Sequence, residues 1–190
     1  DGTVILWDAE KGVPIETLEG HAGVTEKHAF SPDGRTLYTA GNDGRVIVWD
    51  VAGDRRLGRP FPTGRGYEGA VEEDFTPAFA LSPDGRALAV ARLDGRVELI
   101  DAETLRRTAS FEAFPGRAAV AIDYSADGRR LAVAGEGGGV GVWDAESGEQ
   151  LGALLRAPRG PRGPQTLNSQ TVSALAFGQG DLLAAAEVGG

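Results

Sequence analysis

The sequence lacks several residues on which common protein chemistries depend. It has no cysteine, no methionine and only two histidines in 190 residues. Disulfide bonds and thiol catalysis are therefore excluded, and two histidines are too few for a three-histidine zinc site. No run of 18 apolar residues and no signal peptide is present, so we expect neither a membrane-spanning segment nor a membrane partner.

Positive charge is also scarce. The chain has 19 basic residues against 28 acidic ones, and its formal net charge is −9. Nonspecific affinity for nucleic acid comes mainly from clustered lysine and arginine that displace counterions from phosphates. We therefore expect no nucleic-acid partner.

Motifs of known catalytic sites are missing as well. There is no His-Glu-x-x-His helix and no Gly-x-Ser-x-Gly elbow. The glycine-rich run from Gly135 to Gly139 leads into a predicted strand, whereas a phosphate-binding loop leads into a helix. These patterns predict that the chain is not an enzyme and binds no metal or cofactor.

What the sequence does contain is a short phrase that returns four times. It begins with an acidic or glycine-rich turn, continues with apolar residues and ends in aspartate, at residues 1–8, 43–50, 94–101 and 137–144. A unit that recurs about every 40 to 50 residues cannot bury its apolar face alone and stacks on its neighbours. The repeat therefore predicts a β-propeller.

A second marker keeps step with the phrase. Ser31-Pro32-Asp33-Gly34-Arg35 recurs unchanged at residues 82–86 and with alanine in place of proline at 125–129, and each copy is typical of a turn. Residues alternate with period two around these turns, which predicts four strands per repeat. The first strand of a repeat is expected near 24–30, 77–81, 119–124 and 172–177, and the second near 36–40, 87–91, 130–134 and 182–186. The third strand carries the phrase. The fourth is expected near 13–19, 55–61, 105–111 and 149–155.

These residues resemble the WD40 repeat family over essentially the whole chain. Trp7-Asp8, Trp49-Asp50 and Trp143-Asp144 match the dipeptide that names the family, Ile100-Asp101 departs from it, and Gly20-His21 matches its opening pair. The resemblance implies a buried hydrogen-bonded tetrad in one repeat, formed by His21, Thr39, Asp43 and Trp49. An alternative is a propeller of the type found in some secreted peptidases and translocation proteins, which shares the Ser-Pro-Asp-Gly-Arg turns but lacks the Trp-Asp phrase.

The predicted fold class is all-β, with three complete four-stranded antiparallel blades and two half-blades. Blade boundaries are expected near 1–20, 21–62, 76–112, 117–156 and 171–190. Because the chain starts and stops in mid-repeat and has no methionine, we expect it to be a segment of a larger propeller whose remaining blades are its partners. The alternative is that the terminal half-blades pair and close a four-bladed ring.

Two long connections, at 62–77 and 157–170, interrupt the repeat, and the family resemblance implies that both lie on one rim of the disc. The first is acidic around a tyrosine and the second is basic and rich in proline. Decorated loops of opposite charge are candidates for recognition, although insertions also survive without use because loop closure costs little. The predicted partner-binding residues are Tyr67, Glu68, Glu72, Glu73, Asp74, Arg159 and Arg162.

The expected function is a noncatalytic scaffold for a protein or peptide partner. The arginine-rich, alanine-rich and glycine-rich composition is typical of GC-rich bacteria, where such repeats are appended to signalling modules, so we expect a regulatory or sensory role in a cytoplasmic protein. Two alternatives remain. One is a propeller-type hydrolase or lactonase acting at the channel mouth, and the other is a purely structural spacer.

Overall fold

The structure is a computed structural model that describes residues 2–53, 59–62, 77–156, 171–180 and 182–188. Every regular element in these residues is a β-strand, and no described helix is long and apolar enough to cross a membrane. The chain divides into two compact units, Asp1–Pro77 and Ala78–Gly190. The all-β prediction is confirmed.

The first unit contains a two-stranded and a four-stranded sheet. The smaller sheet pairs β1 (Thr3–Asp8) with β2 (Val13–Glu19). The larger sheet has the order β3-β4-β5-β6, with bounds Thr25–Phe30, Thr36–Gly41, Arg45–Asp50 and Arg59–Pro62. Apolar side chains of the smaller sheet pack on a buried cluster of Leu18, Leu37, Ile47 and Trp49.

The second unit contains two four-stranded sheets and one two-stranded sheet. The first is formed by β7 (Ala78–Leu81), β8 (Ala87–Ala91), β9 (Arg96–Asp101) and β10 (Arg107–Glu112). The second is formed by β11 (Ala119–Tyr124), β12 (Arg130–Gly135), β13 (Gly139–Asp144) and β14 (Leu155–Arg156). The third pairs β15 (Thr171–Phe177) with β16 (Leu183–Val188). All pairings are antiparallel between strands consecutive in the chain.

The predicted outer strand of the third blade is wrong in extent. A strand over 149–155 was expected, but β14 covers only Leu155–Arg156. Before it, Gln150 makes an isolated bridge to Trp143, and Gly152 has a φ of 84° that no extended strand accommodates. The left-handed glycine therefore interrupts the pairing and delays the strand.

The Ser-x-Asp-Gly turns are stabilised by the same side-chain bonds in each copy. The Ser31 hydroxyl donates to the Asp33 carboxylate at 2.6 Å and accepts from the backbone N–H of Thr36 at 2.9 Å. The Ser82 and Ser125 turns repeat both bonds with the same lengths. A serine and an aspartate two residues apart thus close the turn between first and second strands.

The aspartate of the Trp-Asp phrase has a local role that does not require the tryptophan. The Asp144 carboxylate accepts the backbone N–H groups of Glu146 and Ser147, and Asp50 accepts those of Ala52 and Gly53. Asp101 likewise accepts from the backbone N–H of Thr104 at 2.7 Å. This explains why Ile100-Asp101 keeps its aspartate after losing its tryptophan.

Leu105 occupies a backbone conformation that the equivalent turns give to glycine. Its φ is 56°, whereas Gly12 and Gly148, four residues after Asp8 and Asp144, have φ values of 66° and 70°. Each of the three donates its N–H to the backbone carbonyl of the aspartate four residues earlier, and Leu105 does so to Asp101. A left-handed residue with a Cβ costs about 1–2 kcal/mol.

Leu105→Gly is therefore expected to raise the free energy of unfolding by about 0.5–1 kcal/mol, because relief of this strain exceeds the added entropy of the unfolded chain. Gly12→Leu is the reciprocal change, since a Cβ at Gly12 meets nothing within 4 Å. It is expected to cost about 1–2 kcal/mol. Urea denaturation of both variants measures the effects, and changes of the same sign would contradict this account of the turn.

Candidate functional site

The four residues of the implied tetrad lie together in the first unit. His21 precedes β3, Thr39 lies on β4, Asp43 lies in the turn after β4, and Trp49 lies on β5. The imidazole Nδ1 is 3.1 Å from Asp43 Oδ1, the Nε2 is 2.8 Å from Thr39 Oγ1, and the Trp49 indole N–H donates to the same oxygen at 2.8 Å. His21, Thr39 and Trp49 are buried.

One arrangement of protons satisfies all of these contacts. If the neutral His21 ring carries its proton on Nδ1, it donates to Asp43 and accepts the Thr39 hydroxyl proton at Nε2. The Thr39 oxygen is then free to accept from the Trp49 indole. The tetrad is therefore a continuous chain of hydrogen bonds from the Trp49 ring to the Asp43 carboxylate.

Asp43 is the charged end of this chain. Burial raises its pKa, but hydrogen bonds from the backbone N–H of Ala22 and from His21 outweigh burial, so the pKa of Asp43 is lowered from 3.8. Ala22 N–H donates at 2.9 Å and Arg45 N–H at 3.1 Å. The carboxylate thus connects the entry segment at 21–22, the β4–β5 turn and the side chains between them.

A lowered carboxyl pKa recurs in the turns. The causes are mainly hydrogen bonds from serine, threonine or lysine side chains and from backbone N–H groups, and the carboxyls concerned, besides Asp43, are Asp8, Asp33, Asp84, Asp101, Asp127 and Asp144. A group whose pKa is depressed by folding contributes stability that is complete above its unfolded pKa, here 3.8, and is lost as pH falls through the folded value.

We therefore expect the free energy of unfolding to be insensitive to these groups above about pH 5 and to fall steeply below about pH 4. The slope in that acid range measures the protons taken up on unfolding. Thermal melting between pH 7 and pH 3 records it, and Asp43→Asn is the matched control because it removes one titrating group. A slope that the substitution leaves unchanged would mean that Asp43 does not titrate as described.

The third blade replaces the tetrad with an apolar cluster. Phe114 corresponds to His21, since Glu112-Ala113-Phe114-Pro115-Gly116 aligns with Glu19-Gly20-His21-Ala22-Gly23. Its ring packs edge-on against Trp143 at 5.7 Å between centroids, and Val133 takes the place of Thr39 in the same buried cluster. Gly41 and Gly135 occupy equivalent positions, and an added Cβ would lie 2.7 Å from His21 Nδ1 in one case and 2.6 Å from the Phe114 ring in the other.

Three of the four polar side chains of the tetrad are replaced in the third blade, and only the tryptophan remains, as Trp143. Asp43 is replaced by Gly137, which has no carboxylate, and Ala22, whose N–H donates to Asp43, is replaced by Pro115, which has no N–H. Phenylalanine and valine remove the ring nitrogens and the hydroxyl. Because a buried polar group without a partner is costly, replacing both partners at once avoids the penalty of replacing one.

The second blade has charged side chains and ion pairs at some of the equivalent positions. Arg92 stands where the other blades have Gly41 and Gly135, and Glu98 stands where the first blade has Ile47. Glu98 is buried and accepts from Arg107 at 3.2 Å, while Arg92 Nη1 lies 3.4 Å from it and Arg92 Nε lies 3.6 Å from Asp94. The segment that precedes this blade, where the counterpart of His21 would lie, is outside the described part of the chain.

The tetrad was implied by the family resemblance, whereas the replacements in the second and third blades were not predicted. The third blade does carry a signal, the shared Glu-x-x-x-Gly frame around Phe114. The second blade carries a weaker one, an arginine and a glutamate at strand positions that are glycine and isoleucine in the first blade.

The predicted partner-binding rim lies outside the described residues. This holds for all its members, Tyr67, Glu68, Glu72, Glu73, Asp74, Arg159 and Arg162. Within the part of the chain that the structure describes, no group of three or more histidine, aspartate or glutamate side chains is placed to hold a metal ion.

Comparison with known proteins identifies a WD40 repeat in one segment of the chain. Residues 12–50 match the model of the WD domain, G-beta repeat. The periodic tryptophan protein 2 homolog of Schizosaccharomyces pombe is 27% identical over 55% of this chain and 11% of its own length. WD repeat-containing protein SL1-17 of Schistosoma mansoni is 32% identical over 55% of this chain and 32% of its own length. Nuclear distribution protein PAC1-2 of Uncinocarpus reesii is 33% identical over 50% of this chain and 19% of its own length.

The chain thus spans about a third or less of the curated relatives it matches. The matched segment at 12–50 contains all four residues of the tetrad, and it ends on the Trp-Asp dipeptide. WD40 repeat proteins are generally noncatalytic scaffolds for protein interaction. The resemblance drawn from the sequence is confirmed over residues 12–50, which match the WD40 repeat model, and the relatives that the chain matches are WD repeat proteins.

Proposed function

We propose that the chain is a noncatalytic platform that presents loops to a protein or peptide partner, in a regulatory or sensory role within a larger cytoplasmic bacterial signalling protein. The repeat family supports the scaffold role. The composition, rich in arginine, alanine and glycine, supports the bacterial setting.

The observation that carries the proposal is that the recurring aspartate carboxylates accept hydrogen bonds from the backbone of the turns. Each accepts at least one backbone N–H group and so holds a turn in place; they are Asp8, Asp33, Asp43, Asp50, Asp84, Asp94, Asp101, Asp127 and Asp144. Acidic groups committed in this way stabilise a rigid frame rather than act on a substrate. Recognition is then left to the loops that differ between repeats.

The rim loops are the proposed contact region, on the strength of their sequence. Tyr67 supplies an aromatic anchor of the kind that dominates protein interfaces, and the acidic group at 72–74 supplies charge for steering and specificity. The basic residues Arg159 and Arg162 add charge of the opposite sign. A partner with both a basic and an acidic patch is expected.

The test compares two variants of equal charge change. The rim variant carries Tyr67→Ala, Glu72→Ala, Glu73→Ala and Asp74→Ala. The control carries Glu10→Ala, Glu103→Ala and Glu146→Ala, which remove the same three negative charges from exposed positions in the turns after Asp8, Asp101 and Asp144.

Immobilised wild type and both variants are exposed to lysate of a bacterium encoding the chain, and bound proteins are quantified by mass spectrometry. A protein that wild type and control retain and the rim variant loses supports the proposal, provided that the purified pair binds directly. Equal retention of every protein by all three would contradict it and favour the spacer alternative.

The noncatalytic part of the proposal has its own test. A metal that binds the folded state raises its melting temperature by mass action. Titration with zinc, calcium or manganese is expected to leave the melting temperature unchanged. A concentration-dependent rise with one of these ions would contradict the proposal and favour the hydrolase alternative.

A further inference from the structure

Two polar side chains join the third blade to the sheet of β15 and β16. The Asp123 carboxylate, on β11, accepts the backbone N–H of Phe177 at 2.8 Å. The Arg130 guanidinium, on β12, donates to the Gly180 carbonyl at 3.2 Å. Its central carbon lies 5.7 Å from the centre of the Phe177 ring, within the range of a cation–π contact. Both side chains therefore contact the end of β15 and the turn that follows it.

Asp123 binds an N–H group that points away from the pairing of β15 with β16. Gly178 donates its N–H to the Leu182 carbonyl at 2.9 Å across the hairpin. Successive N–H groups of an extended strand point to opposite sides, so the N–H of Phe177 points to the edge of β15 that β16 does not cover. A carboxylate is a strong acceptor for such a group, because hydrogen bonds to ionised partners are about twice as strong as those between neutral groups.

The second blade has no counterpart of these contacts. The register of the sheets aligns Asp123 with Ala80 and Arg130 with Ala87. Neither alanine side chain can accept or donate a hydrogen bond, so the second blade cannot hold the end of β11 in this way. The first blade has alanine and threonine at the two positions, Ala29 and Thr36. Among the complete blades, the aspartate and the arginine are therefore specific to the third.

The turn after β15 also differs from the other turns between first and second strands. Phe177 pairs with Leu183, so this turn encloses residues 178–182, whereas Tyr124 pairs with Leu131 around residues 125–130. The shorter turn contains no serine and therefore cannot form the Ser-x-Asp-Gly bonds. Both sides of the junction thus depart from the repeat, and they do so at the residues that are in contact.

Apolar packing supplies the rest of the junction without distinguishing one blade from another. Ala121, Ala134 and Val140 of the third blade are buried with Val172 of β15. The second and third blades are likewise joined through small buried side chains such as Ala89. Similar surfaces can pair wrongly, and misassembly is a characteristic failure of repeat proteins. Polar contacts oppose it, because a wrong neighbour leaves a charged group without its partner.

We propose that Asp123 and Arg130 are specificity determinants that select the sheet stacked on the third blade. The partner that they fit is a strand end with an unpaired backbone N–H, an aromatic side chain and a turn carbonyl three residues further on. The end of β15 supplies these groups with Phe177 and Gly180. An aliphatic residue, such as the Leu81 that ends β7, would satisfy the carboxylate but give the guanidinium no ring.

Hydrogen exchange of the Phe177 amide, measured by NMR on the whole chain, tests the first contact. Asp123→Ala gives this position the residue of the second blade. It is expected to raise the exchange rate at least about tenfold, since the amide loses a bond to a charged acceptor. Asp123→Asn keeps an acceptor oxygen and is expected to restore part of the protection. Glu146→Ala removes one negative charge at an exposed position and is expected to leave the rate unchanged.

The Val133 amide, in the centre of the third blade, reports unfolding of the blade as a whole. A faster exchange at Phe177 with Val133 unchanged supports the proposal. An unchanged rate at Phe177 in Asp123→Ala, or an equal rise at Val133, would overturn it, because the bond would then be absent or would act on the whole blade rather than on the junction.

Selectivity for the aromatic ring is tested by Phe177→Tyr and Phe177→Leu, which place here the residue types that end β11 and β7. Protection of the amide at 177 is measured relative to an unstructured peptide of the same sequence. With Arg130 present, protection is expected to be roughly two- to fivefold higher in Phe177→Tyr than in Phe177→Leu. With Arg130→Ala the difference is expected to disappear. A difference that persists undiminished without Arg130, or no difference in its presence, would overturn the role given to Arg130.

Discussion

Gly95→Ala is expected to lower the free energy of unfolding by about 2–4 kcal/mol. Gly95 has a φ of 83°, where a Cβ costs about 1–2 kcal/mol. The Cβ would also overlap the carbonyl oxygen of Phe114 and come within 2.5 Å of the carbonyl oxygen of Arg117. Relieving such overlap by moving the backbone typically costs about a further 1–3 kcal/mol, and the lower conformational entropy of the unfolded alanine variant offsets part of the total.

The overlap is with a segment that has little freedom to move. The Gly95 carbonyl accepts the N–H groups of Ala113 and Phe114 at 2.9 and 3.0 Å. Phe114 in turn packs on Trp143 in the main apolar cluster of the second unit. A displacement at Gly95 is therefore transmitted to the cluster that holds two blades together.

Two controls separate the clash from the backbone conformation. Gly44 is the equivalent glycine of the first blade, and Gly116 lies in the same unit as Gly95; both have positive φ, and an added Cβ meets nothing within 4 Å. Gly44→Ala and Gly116→Ala are expected to cost about 1 kcal/mol each. Urea denaturation followed by circular dichroism measures all three, and a Gly95→Ala effect no larger than the controls would show that the contact with Phe114 is unimportant.

The features that the sequence predicted well are those set by local chemistry. The strands and turns follow from alternating apolar residues and from the Ser-x-Asp-Gly pattern, whose bonds span five residues or fewer. The tetrad could be expected only from the family resemblance. His21 and Asp43 are 22 residues apart in sequence, and no repeating pattern of residues relates the two positions. The structure places them 3.1 Å apart.

The features that the sequence did not predict depend on contacts between distant segments. The role of Phe114 is evident only from its neighbours, because Gly135 leaves room for its ring and Val133 offers no polar partner. Arg92, just after β8, and Glu98, on β9, have no distinctive sequence pattern, and only their ion pair in the structure shows that they act together. The shortened β14 depends on the φ of Gly152, since glycine is compatible with both extended and left-handed backbone.

Thr39→Val is expected to lower the free energy of unfolding by about 2–4 kcal/mol, although the side chain keeps its shape. Thr39 has no exposed surface, and its oxygen lies 2.8 Å from both the His21 Nε2 and the Trp49 Nε1. Valine leaves both nitrogens buried without this partner, and a buried polar group that loses its hydrogen bond costs about 1–3 kcal/mol. Urea denaturation measures the loss.

The apolar cluster of the third blade sets up a sharper test of the same idea. Each polar side chain of the tetrad stabilises the fold only while its hydrogen-bond partner is present. The effects of His21→Phe and Thr39→Val on the free energy of unfolding should therefore be coupled, and the double variant should lose at least about 1 kcal/mol less than the sum of the single variants. Val133→Thr is the reciprocal control, because Phe114 cannot accept the proton of the buried hydroxyl and only the Trp143 indole N–H could donate to its oxygen, so it is expected to cost about 1 kcal/mol. Additive costs for His21→Phe and Thr39→Val, or a neutral Val133→Thr, would show that the blades differ by packing alone and that the joint loss of donors and acceptors has no energetic basis.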